Sequence, residues 1–420
     1  MKVMQINSVC GKGSTGKIAV DICDILTQEA VECRIAYGRD QASGIDSQST
    51  MRVGTELDVK VHGLMTRITD RTGFYSRTAT NQLIAKIEAY NPDVIHLHNI
   101  HGYYINIEIL FKYMARTNKK VIWTLHDCWA FTGHCAYFDM VGCEKWKTGC
   151  YQCVQKKSYP QSLVLDNSRR NYRDKKQLFT AIKDMTIITP SKWLANLVKE
   201  SYLGKYPVKV IHNGIDLEKF HPVKSDYKIR NAMEDKHMIL GVSNIWEERK
   251  GLKDLLELQK LLPNHYQIVL VGLSQEQVDS LPEGMIGMTR TSSQEELIEL
   301  YSEADVFVNP TYEDNFPTTN IEALACGTPV ITYNTGGSPE AVDETCGIVV
   351  AQGDIEALSE QIQKIIGYKV KHQLKDSTKD EDGRCDMDVY SQEACVIRSK
   401  QFDKQSRYMD YLAEYSETKQ

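Results

Sequence analysis

The feature that most constrains this chain is the alternation of short apolar runs with helical apolar periodicity along its whole length. Runs at 2–8, 32–37, 93–97, 120–125 and 186–189 read as buried strands. Between them, 15–28, 80–90, 105–116, 166–183 and 191–200 carry apolar residues at helical spacing. A second series of strand-like runs follows at 208–212, 238–242, 267–271, 305–308, 329–333 and 347–350. Strands that alternate with helices form parallel sheets covered on both faces. With roughly 100–200 residues per domain, the 420 residues imply two doubly wound α/β domains facing across a cleft. Ligands in such folds lie beyond the carboxyl ends of the strands. One segment, 128–160, breaks the alternation and reads as an insert rich in Cys, Gly and aromatics.

Composition excludes several classes. At 42% hydrophobic and 25% charged residues the chain is globular rather than disordered. A net charge of -6 disfavours a nucleic-acid binder, which needs a basic face. No apolar stretch approaches the roughly 18–20 residues of a membrane span. The first residues run straight into a strand without a signal-peptide pattern, so a cytoplasmic location is expected.

Two loops carry candidate chemistry. Gly11-Lys12-Gly13-Ser14-Thr15-Gly16-Lys17 follows the first strand and opens a helix, so Gly13 and Gly16 are candidate phosphate contacts. The spacing copies a Walker loop, but Ile18 stands where a magnesium-binding hydroxyl is needed; a packing turn is the plain alternative. Downstream, Asp314-Asn315-Phe316-Pro317 precedes a helix that starts near Thr318 and carries Glu322, followed by Cys326-Gly327-Thr328-Pro329-Val330. The first amides of that helix, at Thr318 and Thr319, suit a phosphate. A carboxylate one turn in, at Glu322, can accept the hydroxyls of a ribose. A capped helix with two solvated acids would look the same.

The downstream cluster resembles the donor signature of glycosyltransferase family 4, which has two acids eight positions apart, then a small-residue turn and Gly-x-Pro-Val. The family usually has Glu first, followed by Gly-Phe-Gly, where this chain has Asp314-Asn315-Phe316-Pro317. His212-Asn213-Gly214-Ile215-Asp216, Gly241-Val242-Ser243, Arg249-Lys250-Gly251 and Gly336-Gly337-Ser338-Pro339-Glu340 match further family segments in order. Ser243-Asn244 replaces the usual Gly-Arg pair.

The resemblance implies two Rossmann-like domains of the GT-B type. They are expected at 1–203, for the acceptor, and 204–395, for the nucleotide sugar, with a helix at 396–420 crossing back to the first. It also implies a retaining hexosyl or related glycosyltransferase that uses a nucleotide-diphosphate sugar and needs no catalytic cofactor. His126 and Asp314 are then the catalytic candidates. Donor binding falls to Gly13, Gly16, Arg249, Lys250, Thr318, Thr319 and Glu322, and His98, Asn99 and Asp127 lie on the acceptor side. The implied acceptor is a lipid-linked or oligosaccharide precursor of a bacterial surface polysaccharide, with no role for nucleic acid. A nucleotide-sugar 2-epimerase on the same fold and a non-catalytic nucleotide- or zinc-binding module are the alternatives.

Three features lie outside that core. Cys135, Cys143, Cys150 and Cys153 suit a structural zinc ion, with free thiols or a redox role as alternatives. His96 and His98 share a strand face, which allows a metal or a polar rim. The basic run 169–176 suits peripheral contact with the inner face of the plasma membrane or a solvated helix face. Asp386-Met387-Asp388 mimics a metal-binding Asp-x-Asp within a polar segment and is discounted.

Overall fold

A computed structural model describes residues 1–375 and 389–416; Asp386-Met387-Asp388 lies outside them. The chain forms two compact units, one of Met1–Asn213 with Gln405–Gln420 and one of Gly214–Lys404.

The first unit is built on a parallel sheet of β1 (Lys2–Asn7), β2 (Glu32–Tyr37), β3 (Thr50–Arg52), β4 (Val94–Leu97), β5 (Lys120–Thr124), β6 (Met185–Thr189) and β7 (Val208–Val210). Their spatial order is β3-β2-β1-β4-β5-β6-β7. The order reverses direction between β1 and β4, the place where doubly wound sheets open a crevice. Side chains alternate across β1. Met4 and Ile6 pack with Leu83, Ile87, Phe111 and Trp123 on one face. Val3 faces Ile18, Ile22 and Ile25 of helix Gly13–Gln28 on the other.

That second face is closed by the end of the chain. Helix Lys404–Ser416 buries Tyr408, Tyr411 and Tyr415 against it. Tyr411 and Thr124 share a hydroxyl hydrogen bond of 3.1 Å, and Tyr415 Oη lies 2.7 Å from His96 Nδ1. Its other ring nitrogen meets Thr124 Oγ1 at 2.8 Å. His96 is therefore a buried structural residue and not a metal ligand.

The second unit repeats the plan with β8 (His237–Val242), β9 (Tyr266–Val271), β10 (Met285–Met288), β11 (Val306–Asn309), β12 (Val330–Tyr333) and β13 (Gly347–Val350), in the order β10-β9-β8-β11-β12-β13. Ile239 packs on one face with Leu255, Leu258 and Leu358. Met238 and Leu240 pack on the other with Leu300, Tyr301 and Leu324.

Three expectations change. The unit boundary falls after Asn213 rather than at 203/204, because β7 pairs with β6 and completes the first sheet. Helix Gln392–Ser399 belongs to the second unit, and the return to the first begins only at Gln405. Segment 128–160, which reads as an insert, packs into the core of the first unit. Cys128, Trp129, Phe131, Cys135, Phe138 and Trp146 are buried in the same apolar cluster as Phe111 and Trp123, and Phe138 stacks on Trp146 at 5.1 Å. Aromatic burial supplies the folding energy there.

Replacing Tyr415 by Phe leaves a buried His96 nitrogen without its partner. Urea unfolding of Tyr415→Phe is expected to show a loss of about 1–3 kcal/mol, the penalty for an unsatisfied buried polar group.

Candidate active site

In the first unit the loops beyond β1 and β4 are joined by one buried amide. Asn7, the last residue of β1, donates from Nδ2 to the carbonyls of Val9 (2.9 Å) and Thr15 (3.1 Å). Its Oδ1 accepts from the amides of Ser8 (2.9 Å) and Asn99 (3.2 Å). The glycine loop is thereby tied to the loop after β4. Gly11 has φ +72°, and a Cβ there would stand 1.8 Å from the Ser43 carbonyl oxygen, so no other residue fits. Gly13 begins the helix after Lys12, which makes no side-chain capping bond. Gly16 accepts the Gly11 amide at 3.0 Å. Ile18 is buried in the core, so the position where a Walker loop needs a magnesium-binding hydroxyl is apolar packing.

Beyond β4 and β5 the histidines form a relay whose proton positions are set by one fixed end. Gln5 Nε2 donates to the Ala19 carbonyl at 2.9 Å, which turns Gln5 Oε1 toward His98 Nε2, 2.8 Å away. An amide oxygen only accepts, so His98 Nε2 carries the hydrogen. Burial holds the His98 pKa well below the ordinary histidine value, so the ring is neutral and its Nδ1 is an acceptor. His126 Nε2 lies 3.0 Å from that Nδ1 and therefore donates. Burial, opposed by Asp127, holds His126 down at about 4. Neutral His126 keeps its proton on Nε2 and leaves the Nδ1 lone pair as an acceptor.

These positions redraw the acceptor-side candidates. His98 is buried with both ring nitrogens bonded inside the unit, so it supports His126 rather than touching a ligand. Asp127 is half-buried. Burial raises its pKa, but His101 Nε2 at 3.1 Å and the Trp129 amide at 2.9 Å outweigh this and lower it. Asn99 is half-buried, and its carbonyl accepts from Tyr104 Oη at 2.9 Å. Gln5 was missed by sequence reasoning. The available signal was a polar residue in the middle of the otherwise apolar strand Lys2–Asn7.

In the second unit the loop after β8 and the loop after β11 are stitched together. The Arg249 carbonyl accepts from the Tyr312 amide at 2.7 Å and from Thr311 Oγ1 at 3.2 Å. Arg249 bonds Glu247 Oε2 (3.1 Å) and the Glu313 carbonyl (3.1 Å). Lys250 Nζ pairs with Asp314 Oδ2. The structure thus places Arg249, Lys250 and Asp314 together.

Helix Thr318–Ala325 follows, with Pro317 at its cap position and no side-chain capping bond. Thr318 and Thr319 are half-exposed in its first turn. Asn320 anchors the turn, accepting from Asn309 Nδ2 at 2.8 Å and donating to Ser338 Oγ at 3.1 Å. Glu322 is half-exposed and accepts from Tyr301 Oη at 3.1 Å. The Gly336 turn closes the group. At φ +57°, a Cβ on Gly336 would lie 1.8 Å from the Asp314 carbonyl oxygen.

The cysteines converge without making a metal site. Cys135 and Cys153 share a thiol hydrogen bond, which, reinforced by burial, holds Cys135 well above the ordinary thiol range. Cys150 Sγ accepts the Gly133 amide at 3.1 Å. Cys143, like Cys150 and Cys153, is partly buried against the aromatic core. Among the described residues no group of three or more His, Cys, Asp or Glu side chains could hold a metal ion. The zinc expectation is therefore not supported.

Comparison with known proteins fits this geometry. The model for Glycosyltransferase Family 4 matches residues 19–219, and that for Glycosyl transferases group 1 matches residues 224–379. The chain belongs to these glycosyltransferases. Similar proteins include the colanic acid biosynthesis glycosyl transferase WcaC of Escherichia coli (strain K12), 23% identical over 84% of this chain and 88% of that protein. The capsular polysaccharide biosynthesis glycosyltransferase CapM of Staphylococcus aureus is 30% identical over 37% of this chain and 43% of that protein. Among solved structures, sucrose-phosphate synthase from Thermosynechococcus elongatus aligns with a TM-score of 0.69 at 18% identity, covering 99% of this chain and 98% of that one. Anabaena HepE in complex with UDP aligns at 0.65 and 15% identity, covering 99% and 100%. The fold of this glycosyltransferase is GT-B.

The geometry has two measurable outcomes. His62, His96 and His126 are held by burial at about 3, 3 and 4, and His98 is also lowered. As pH falls below about 6.5, the unfolded chain takes up protons that the folded chain refuses until it nears those values. Stability is therefore expected to drop between about pH 6.5 and 4, by about 1.4 kcal/mol per pH unit for each such group. Urea midpoints measured across that range check this. Separately, Gly336→Ala, which sets a Cβ against the Asp314 carbonyl at a positive φ, is expected to lower stability by about 1–3 kcal/mol, measured by urea unfolding.

Proposed function

We propose that this glycosyltransferase moves a sugar, with retention of configuration, from a nucleotide-diphosphate sugar to a lipid-linked acceptor of surface-polysaccharide synthesis. The observation that carries the donor half is the group around helix Thr318–Ala325. An uncapped helix start, two half-exposed threonines, the Lys250–Asp314 pair and the half-exposed Glu322 sit on adjoining loops of one unit. Free amides and cations suit a diphosphate, and Glu322 suits ribose hydroxyls. In this reading Arg249 and Lys250 hold the diphosphate, Asp314 bonds the transferred sugar, and Gly13 and Gly16 let a ligand approach the first-unit backbone. His126 contributes its Nδ1 lone pair, accepting a sugar hydroxyl as charge develops. The leaving diphosphate takes the acceptor proton.

The acceptor class rests on relatives. WcaC and CapM are named for colanic acid and capsular polysaccharide. A Campylobacter jejuni relative, 28% identical over 36% of this chain, is named for an acceptor on diphospho-undecaprenol. The solved HepE structures include one with UDP-glucose. With such an acceptor the enzyme works at the cytoplasmic face of the membrane. No described helix is long and apolar enough to cross it.

The test screens purified protein against UDP-, GDP-, ADP- and dTDP-sugars. One donor is expected to bind, and Glu322→Ala is expected to weaken it by about tenfold to a hundredfold, the value of charge-assisted hydrogen bonds. His126→Ala is expected to retain binding while slowing release of the nucleotide diphosphate. Donor binding indifferent to Glu322→Ala would overturn the assignment, and an epimerised sugar among the products would redirect it.

A further inference from the structure

Helix Glu56–Thr69 is turned inside out. Its fully buried residues are His62 and Thr66, whereas Leu57, Val61, Leu64 and Ile68 are 41–69% exposed. Their spacing of four, three and four places them in one stripe along the outer face. A surface helix ordinarily buries such a stripe.

The stripe continues onto a second exposed apolar segment, Leu163–Leu165, which is 48–60% exposed. The Leu163 amide donates to the Arg67 carbonyl at 2.7 Å, and the Leu165 amide donates to the Ile68 carbonyl at 3.1 Å. Asn167 Nδ2 donates to the Thr69 carbonyl at 2.7 Å, so helix Ser168–Phe179 begins beside the same end of helix Glu56–Thr69. On that second helix Arg169, Arg170, Arg173 and Lys176 are exposed, and Lys60 and Arg67 flank the apolar stripe. Within residues 56–77 and 154–176 eight lysines and arginines are exposed against two exposed carboxylates, Glu56 and Asp166, in a chain whose net charge is -6.

We propose that this apolar ridge with its basic border docks the first unit onto an anionic lipid bilayer surface. The aliphatic side chains enter the headgroup–acyl boundary while the cations face the lipid phosphates. Charge selects this occupant over a second copy of the chain, because a two-fold interface would set the same basic border against itself. The exposed cations of 169–176 are thus one part of the surface, and the helical stripe Leu57–Ile68 that they border lies about a hundred residues earlier in the chain. The lipid-linked acceptor gives the docking a purpose, but the exposed stripe and its cations stand independently of donor chemistry.

The test is co-sedimentation of the full chain with vesicles of phosphatidylcholine containing about one-third phosphatidylglycerol, beside vesicles of phosphatidylcholine alone. Binding is expected to the anionic vesicles and to fall with added salt. Leu64→Ser with Ile68→Ser, and separately Arg169→Glu with Arg173→Glu, are each expected to weaken it by about tenfold or more. Ile229→Ser with Ile397→Ser, at exposed positions of the second unit, is expected to bind like the unchanged protein. Circular dichroism melts are expected to match for all variants. Unchanged binding by either first-unit variant, or none by the parent chain, would overturn the proposal. So would a dimer in size-exclusion chromatography that Leu64→Ser with Ile68→Ser dissolves. Donor binding measured on the same samples separates failure of this surface from failure of the transferase reading.

Discussion

Parallel pairing of β1 with β4 and of β4 with β5 is the constraint on which the first unit depends. The register sets Ile6 beside Leu97 and Leu97 beside Trp123. Three strands of different length and sequence therefore end level with one another, and the loops leaving them must emerge at one edge. Asn7, His98 and His126 meet there because the backbone leaves them no other place. The polar relay then works inward from the edge to Gln5. A hydrogen-bonded chain anchored at buried Gln5 and His98 has one favoured arrangement of protons, so the sheet determines the chemical state of a ring that stands at its rim.

The second unit solves the same geometric problem with charge instead of neutral relays. Lys250 and Asp314 are already paired, so an anion approaching this lysine would have to share it with a carboxylate. Pairing of this kind lowers the attraction for any anion and favours one that also satisfies Asp314. A ligand with hydroxyls beside its charge would do so and inorganic phosphate would not. The stitched loops at Arg249, Tyr312 and Gly336 hold the pair in place, so the discrimination depends on backbone contacts as much as on side chains.

Much of the architecture was legible in the residues. Period-two and helical patterns define the strands and the crossovers, and the acid pair with its glycine turn marks the loops that bring Arg249, Lys250 and Asp314 together. The features that were not legible depend on neighbours distant in the chain. His98 looks like a ligand in a strand-end motif, and only its bonds to Gln5 and His126 show that it is a support. The short strand Val208–Val210 reads as the start of the second half, but pairing with β6 assigns it to the first. The cysteine-rich segment reads as a metal-held insert because thiols are conspicuous, whereas Phe131, Phe138 and Trp146 do the packing. Helix Glu56–Thr69 was not anticipated at all, and periodicity alone does not say which face of a helix points inward.

The last helix of the chain completes the first unit, whose aromatic residues Tyr408, Tyr411 and Tyr415 cover helix Gly13–Gln28 and cap His96. During synthesis the ribosome delivers Met1–Asn213 early and then makes the whole of Gly214–Lys404 before this cover arrives. The nascent first unit therefore waits with an apolar face open, while the second has every residue it needs in one continuous stretch. The unit begun first is finished last. A chain cut just before Gln405 keeps every residue of the second unit and leaves the first without its lid, an open apolar surface of the kind that chaperones and proteases recognise.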